Sequence, residues 1–168
     1  MLQNDKPGKN NNKPILPDLG KNLEVIKDVL NNSSDVTVHE FNFGHDRKFK
    51  GALIFISNLA DKEEIHKNIL QPLMYNALLL NNNADIDYTE IDNIRKDLIP
   101  TTDNQKVTLL SDLLDNLLAG ATILLINGSR EALAIKLKKK ESRSIEEPGT
   151  EVVVRGPIEG FIEDVNTN

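Results

Sequence analysis

The sequence predicts an α/β (α+β) domain: a small mixed or antiparallel sheet of about four strands in two hairpins, three to four helices packed on it, and an extended C-terminal segment. Two pairs of apolar runs joined by short turn signals, VTVHEFNF-GHDR-KFKGALIFIS and ATILLI-NG-SREALAIKL, read as hairpins. Amphipathic helical stretches separate them. The glycine-rich turn after a strand that marks a doubly wound dinucleotide fold is missing.

Residues 1–18 are rich in Asn, Lys and Pro, carry little apolar surface and read as a flexible lead-in. From Leu19, apolar residues at Leu19, Leu23, Ile26 and Leu30 have helical spacing and stop at the turn-forming Asn31-Asn32-Ser33-Ser34. VTVHEFNF then alternates, but its apolar phase moves from even (Val36, Val38) to odd (Phe41, Phe43), which predicts a bulge near His39-Glu40. The unbroken ALIFI that follows reads as a strand covered on both faces.

Asp61 with Glu64 predicts an N-cap and capping box opening a helix with Ile65, Ile69, Leu70 and Leu73 inward, bent or interrupted by Pro72. Residues 81–87 are a loop, and Thr89 with Asp92 starts a helix that runs to about Leu98 and stops before Pro100. QKVTLLSDLLDNLLAG places Val107, Leu110, Leu113, Leu114, Leu117 and Leu118 on one stripe, with Gly120 as the C-terminal cap. Asn127-Gly128 suits the positive dihedrals of a type I′ turn between a central first arm and a second arm with Leu133, Ile135 and Leu137 on one face. The domain reads as residues 19–142, followed by a connecting segment, 143–168.

Composition narrows the function. A net charge of −6 is the opposite of the basic face that nucleic-acid binders present. The absence of cysteine removes disulfides, thiolate zinc sites and thiol nucleophiles. No run of about 18 apolar residues offers a membrane span. With 4% aromatic residues, the core must be built mainly from Leu, Ile and Val.

Several side chains invite a chemical reading. Glu146, Glu147, Glu151 and Glu159 resemble a general acid and base set, since glycosidases need two carboxyls roughly 5 to 9.5 Å apart. No apolar pocket is implied around them, so solvated or ion-paired roles fit better. His39, His45 and His66 lack metal-ligand spacing, and His45-Asp46 as a base and its orienter has no further support. Ser57, Ser111, Ser129 and Ser144 lack a nucleophile elbow. Lys136, Lys138, Lys139, Lys140 and Arg143 could meet phosphates or anionic lipid, but read more simply as a solubilising strand end beside the acidic stretch after it. No catalytic residue, metal or cofactor is expected.

RSIEEPGTEVVVRGPIEGF, residues 143–161, combines Arg143, Glu146, Glu147, Glu151, Arg155 and Glu159 with Pro148, Pro157, Gly149, Gly156 and Gly160. Prolines bias their predecessors to extended backbone and glycines permit tight approach, so the stretch reads as a joint or docking strap with a short EVVVR strand. It resembles the signature of the A subunit of GerA-type spore germinant receptors. NSSDV (32–36), LADKEEI (59–65), ILQPL (69–73) and LLAGATILLING (117–128) precede it in the family-like order. Ile158 stands where that family usually has Arg, and Asn127 where it often has Asp; backbone roles rather than charge are therefore expected at these two positions.

The resemblance implies a non-enzymatic, N-terminal soluble piece of a multi-subunit receptor in the spore inner membrane, facing the spore core. That receptor converts nutrient detection into exit from dormancy. The partners it implies are the other receptor subunits, with membrane attachment and a second subdomain supplied by regions beyond the signature. Arg143, Glu146, Glu147, Glu151, Arg155 and Glu159 are then contact residues, and Asn127, Gly128, Pro148, Gly156, Pro157 and Gly160 are structural turns. A nutrient-binding domain in its own right and, more remotely, a carboxylate-based hydrolase are the rival readings.

Overall fold

The computed structural model describes residues 13–81, 85–100 and 102–138. Helix α1 (Leu19–Val29) starts at Asp18, whose carboxylate accepts from the Lys21 N–H, and turns its Leu19, Leu23 and Ile26 inward. It stops where Asn31 and Asn32 both take positive φ, a conformation asparagine tolerates better than most residues. Strands β1 (Val36–Phe43) and β2 (Phe49–Ile56) follow as an antiparallel hairpin.

Helix α2 opens as Lys62–Ile65, continues through π-wound His66–Leu70 and Pro72–Asn76, and ends as Ala77–Asn81. Asp61 caps it as expected, accepting from the N–H groups of Glu63 and Glu64, while the Glu64 carboxylate accepts from Asn68 at 2.8 Å. After α3 (Ile91–Asp97) come β3 (Asp103–Val107), α4 (Leu110–Leu118), β4 (Thr122–Ile126) and β5 (Ala132–Lys136). The described strands form one antiparallel sheet in the order β1-β2-β4-β5-β3.

The sheet divides two cores. On one face, Leu53, Phe55, Leu124, Ile126, Leu133 and Ile135 meet Ile65, Ile69, Leu73 and Ala77 of α2, and Ile91 and Ile94 of α3. On the other, Ala52, Ile54, Ile123, Leu125, Ala132 and Ala134 meet Leu19, Leu23 and Ile26 of α1, and Leu113, Leu114 and Leu117 of α4. The unbroken apolar runs of β2 and β4 follow directly: alternate side chains of each supply opposite cores.

This two-faced burial replaces the bulge expected near His39-Glu40. The β1·β2 register runs without interruption from Val36↔Ile56 to Phe43↔Phe49. Val36 and Val38 pack on the α1/α4 face, and Phe41 and Phe43 on the α2/α3 face. The change of apolar phase is a change of the face being covered, with the pleat intact.

Two further expectations are corrected. Residues 103–107 belong to an edge strand paired with β5 (Asp103↔Lys136 to Val107↔Ala132), so Val107 and the residues before it are not part of the following helix. Only Val107 of this strand is buried, which leaves no alternation in the sequence to announce it. The β4–β5 connection is longer than a two-residue type I′ turn. Gly128 alone within it has positive φ, 96°, and the Ser129 N–H donates to the Ile126 carbonyl, which is the type II pattern with glycine at its third position.

Pro72 interrupts α2 in a specific manner. It has no N–H, and the turn before it pairs i→i+5, with the Gln71 N–H donating to the His66 carbonyl. The buried stripe Ile65, Ile69, Leu73, Ala77 repeats every fourth residue, so a helix wound more loosely than α keeps it aligned. Gly120 caps α4 as expected: its φ is 103°, and the Ala121 N–H donates to the Asn116 carbonyl.

Residues 13–18, assigned by composition to the lead-in, dock on the start of α4. The Ile15 N–H donates to Thr108, the Leu110 N–H donates to Lys13, and the Ile15 side chain is buried. Residues 1–12 lie outside the described residues.

Candidate functional site

Arg143, Glu146, Glu147, Glu151, Arg155 and Glu159, with Pro148, Gly156, Pro157 and Gly160, lie outside the described residues, as do Lys139, Lys140 and Ser144. Of the chain leading to them, β5 ends at Lys136, which pairs with Asp103 at the start of β3. β5 therefore ends at the side of the sheet opposite the β4–β5 turn.

That turn is a junction. The Asn127 side-chain oxygen accepts from the Leu19 N–H at 3.0 Å, its backbone N–H donates to Lys50, and the Gly128 N–H donates to Pro17 at 2.7 Å. Asn127 thus joins the first turn of α1 to β2 and β4, and needs only a side-chain acceptor to do so.

Two solvent-open clefts flank the junction and share Thr89. One, of about 590 Å³, is lined by Ile15, Glu90, Thr108, Ser129 and Arg130 among others. The second, of about 540 Å³, is lined by Lys48, Lys50, Asp85, Asp87 and Asn127. In the second cleft the charged groups are engaged locally. Lys48 pairs with Asp85 at 3.0 Å, and Lys50 with Glu40 at 3.4 Å. Asp87 accepts from both the hydroxyl and the N–H of Thr89, which hold its carboxyl below the usual range.

Across the α3–β3 edge, Asp92 meets Lys106 at 3.2 Å and Arg95 at 3.4 Å, and these cations lower its pKa, Lys106 foremost. Arg95 also donates to Asn104 at 2.8 Å. This network ties the edge strand to α3.

The sequence-selected histidines do not converge. His39 stacks on Phe41 along β1, His45 sits beside Asp46 in the β1–β2 turn, and His66 is exposed on α2. Among the described residues, no group of three or more His, Cys, Asp or Glu is placed to hold a metal. Ser57 bonds Thr37 at 2.9 Å, and the buried Ser129 bonds the backbone of Glu131, so both hydroxyls serve local structure. Ser111 lies on α4.

Sequence reasoning missed the end of α2. Tyr75 and Leu79 are 63% and 70% exposed, and Leu78 and Leu80 stand beside them at 46% and 41%. No charged residue occurs from Asn68 to Ala84, in a chain that is 27% charged. That uncharged tract was the available signal, because interface centres are depleted of charge and exposed apolar clusters mark contact surfaces. In the core beneath, Phe43, Phe49 and Tyr88 pack with ring centroids 5.5 to 6.1 Å apart. The Tyr88 hydroxyl is buried without a hydrogen-bond partner among the described residues, and burial pushes its pKa up.

Comparison with known proteins places this arrangement. The described fold resembles the crystal structure of the N-terminal domain of the A subunit of the Bacillus megaterium spore germinant receptor GerK3, with a TM-score of 0.65 and 24% identity over 77% of this chain and 49% of that one. The chain is 32% identical to spore germination protein KA of Bacillus subtilis (strain 168) over 93% of its own length. It is 31% identical to spore germination protein GerLA of Bacillus cereus over 87%. It spans 28% of the length of each of these two relatives. Residues 24–168 match the family described as Bacillus/Clostridium GerA spore germination protein, and the chain belongs to that family.

Proposed function

We propose that this chain is an N-terminal α/β portion of a spore germination receptor A subunit, acting without bond-making chemistry in nutrient-triggered germination. It takes part in receptor assembly and transmits the signal to other subunits. The observation that carries the reading is the family match, which runs through the whole 143–161 signature and not only the folded core. In the second cleft Lys48, Lys50 and Asp87 are already engaged by neighbours, which favours a scaffold over a nutrient pocket there.

On this reading the described domain is a base, and residues 143–168 connect it to a second subdomain and to partner subunits at the spore inner membrane, on the core side. Arg143, Glu146, Glu147, Glu151, Arg155 and Glu159 make charge-assisted hydrogen bonds across that contact. The exposed Tyr75 to Leu80 ridge offers a second, apolar contact.

The test is to introduce Arg155→Ala and Glu147→Ala into the full-length receptor, then measure co-purification of the other subunits and nutrient-triggered germination. Both should fall sharply. Normal assembly with normal germination removes the interface role. Saturable binding of an amino acid, sugar or nucleoside by the isolated chain would instead support a nutrient pocket.

A further inference from the structure

We propose that α2 is a two-register helix, in which its last turn, Ala77–Asn81, rotates about the helix axis when the π-wound segments rewind as α. The inference goes beyond the assembly reading and does not depend on it. The π winding is confined to the ten residues His66–Leu70 and Pro72–Asn76, bracketing Gln71, with shorter helical pieces before and after. A π-wound segment takes up about one more residue than the equivalent stretch of α-helix, and such segments are rare outside functional elements. Rewinding one of them turns everything after it by about 100°, one residue's step in an α-helix.

The side chains of the last turn are graded for that step. At present Ala77 faces the core, fully buried; Leu79 lies on the far side, 70% exposed; and Leu78 and Leu80 flank it. After the rotation Leu80 turns toward the core, Leu79 moves to the flank, Leu78 takes the far side, and Asn76 occupies the direction Ala77 had. A leucine replaces a methyl group on the buried side, but an amide is carried inward with it. Apolar burial favours the new register and desolvation of the amide opposes it. An element whose two packings are balanced by opposing terms is what a switch requires.

Three features around the helix hold this balance open. Pro72 lacks the N–H that α pairing would use at the centre of the tract. No charged side chain from Asn68 to Ala84 pins either register by an ion pair. In the core layer that α2 covers, the Tyr88 hydroxyl has no hydrogen-bond partner, so that layer is not at its polar optimum. Any partner that covers Leu79 favours the present register, and one that covers Leu78 favours the rewound one, because a ligand shifts a two-state element by its differential contacts.

The chain has no cysteine, so Leu78→Cys and Leu79→Cys each report alone in thiol-labelling experiments. In the otherwise unchanged chain the L79C thiol should label faster than the L78C thiol. Adding Pro72→Ala and Asn76→Leu restores the missing N–H and removes the amide, and the order of the two rates should reverse. An unchanged order in a variant with native circular dichroism and cooperative unfolding overturns the proposal. Should the double change unfold the chain, Pro72→Ala alone is read by amide hydrogen exchange. Slower exchange across residues 73–80 supports rewinding, and unaltered exchange rejects it.

Discussion

The two faces of the sheet are built from different materials. The α1/α4 face is aliphatic, and each of its helices is closed by a conventional device: Asp18 and Asn127 at the start of α1, Gly120 at the end of α4. The α2/α3 face holds four phenylalanines and a tyrosine, a helix wound away from α, and a buried hydroxyl with no partner among the described residues. Both faces exclude water equally well at their centres, so they differ in how many arrangements satisfy them. The aliphatic face specifies one packing; the aromatic face leaves slack at its helix.

The largest expected effect tests that contrast directly. Leu113 of α4 and Leu73 of α2 are both fully buried, so truncating either to Ala should cost within about 2–5 kcal/mol. Leu113→Ala should fall at the upper end and Leu73→Ala at the lower, because a loosely wound helix can settle into the cavity. Urea unfolding measures both, and a costlier Leu73→Ala would break the comparison.

Next in size is Asn127→Ala, which removes the acceptor for the Leu19 N–H and should cost about 1 kcal/mol, read by the same unfolding curve. Asn127→Asp keeps an acceptor oxygen there and should be close to neutral. On the other face Tyr88→Phe removes the unpartnered hydroxyl and should raise stability by up to about 1 kcal/mol. A loss on that substitution would mean the hydroxyl is satisfied in solution.

The smallest effects are pH-dependent, and the α2/α3 side carries groups that respond at both ends of the scale. Asp87 and Asp92 have folded pKa values below the ordinary 3.8, so their contribution is complete above that value and is lost as the pH falls through the depressed ones. Tyr88 has a folded pKa above 10.0, so the folded state loses stability as the pH rises past 10. Tyr88→Phe should flatten the alkaline limb alone, and Asp92→Asn the acid limb alone, in thermal melts across pH.

Much of this was legible in the sequence. The buried runs ALIFI and ATILLI, the cap at Asp61, the glycine stop at Gly120 and the second hairpin follow from local rules that tertiary packing did not override. The edge strand was not legible: four of the five residues in DNQKV face solvent or lie half-buried, and Val107 alone fits a helical stripe as well as a strand. The phase change in β1 was visible but admitted two causes, a bulge or a second covered face, and the sequence of one strand does not say what lies above and below it. The contact role proposed for Arg143, Glu146, Glu147, Glu151, Arg155 and Glu159 rests on the family signature, since their spacing in the sequence alone does not bring them together.

The order β1-β2-β4-β5-β3 has a consequence for how the chain is made. Its first hairpin and its edge strand leave the ribosome with no neighbour on their inward sides, because β4 and β5 follow the other described strands in the chain. Until β4 has emerged β2 is an unpaired template, and until β5 has emerged β3 is one, open to any other strand in reach. The second hairpin supplies the inward neighbour of both β2 and β3, and its alternate side chains complete both cores.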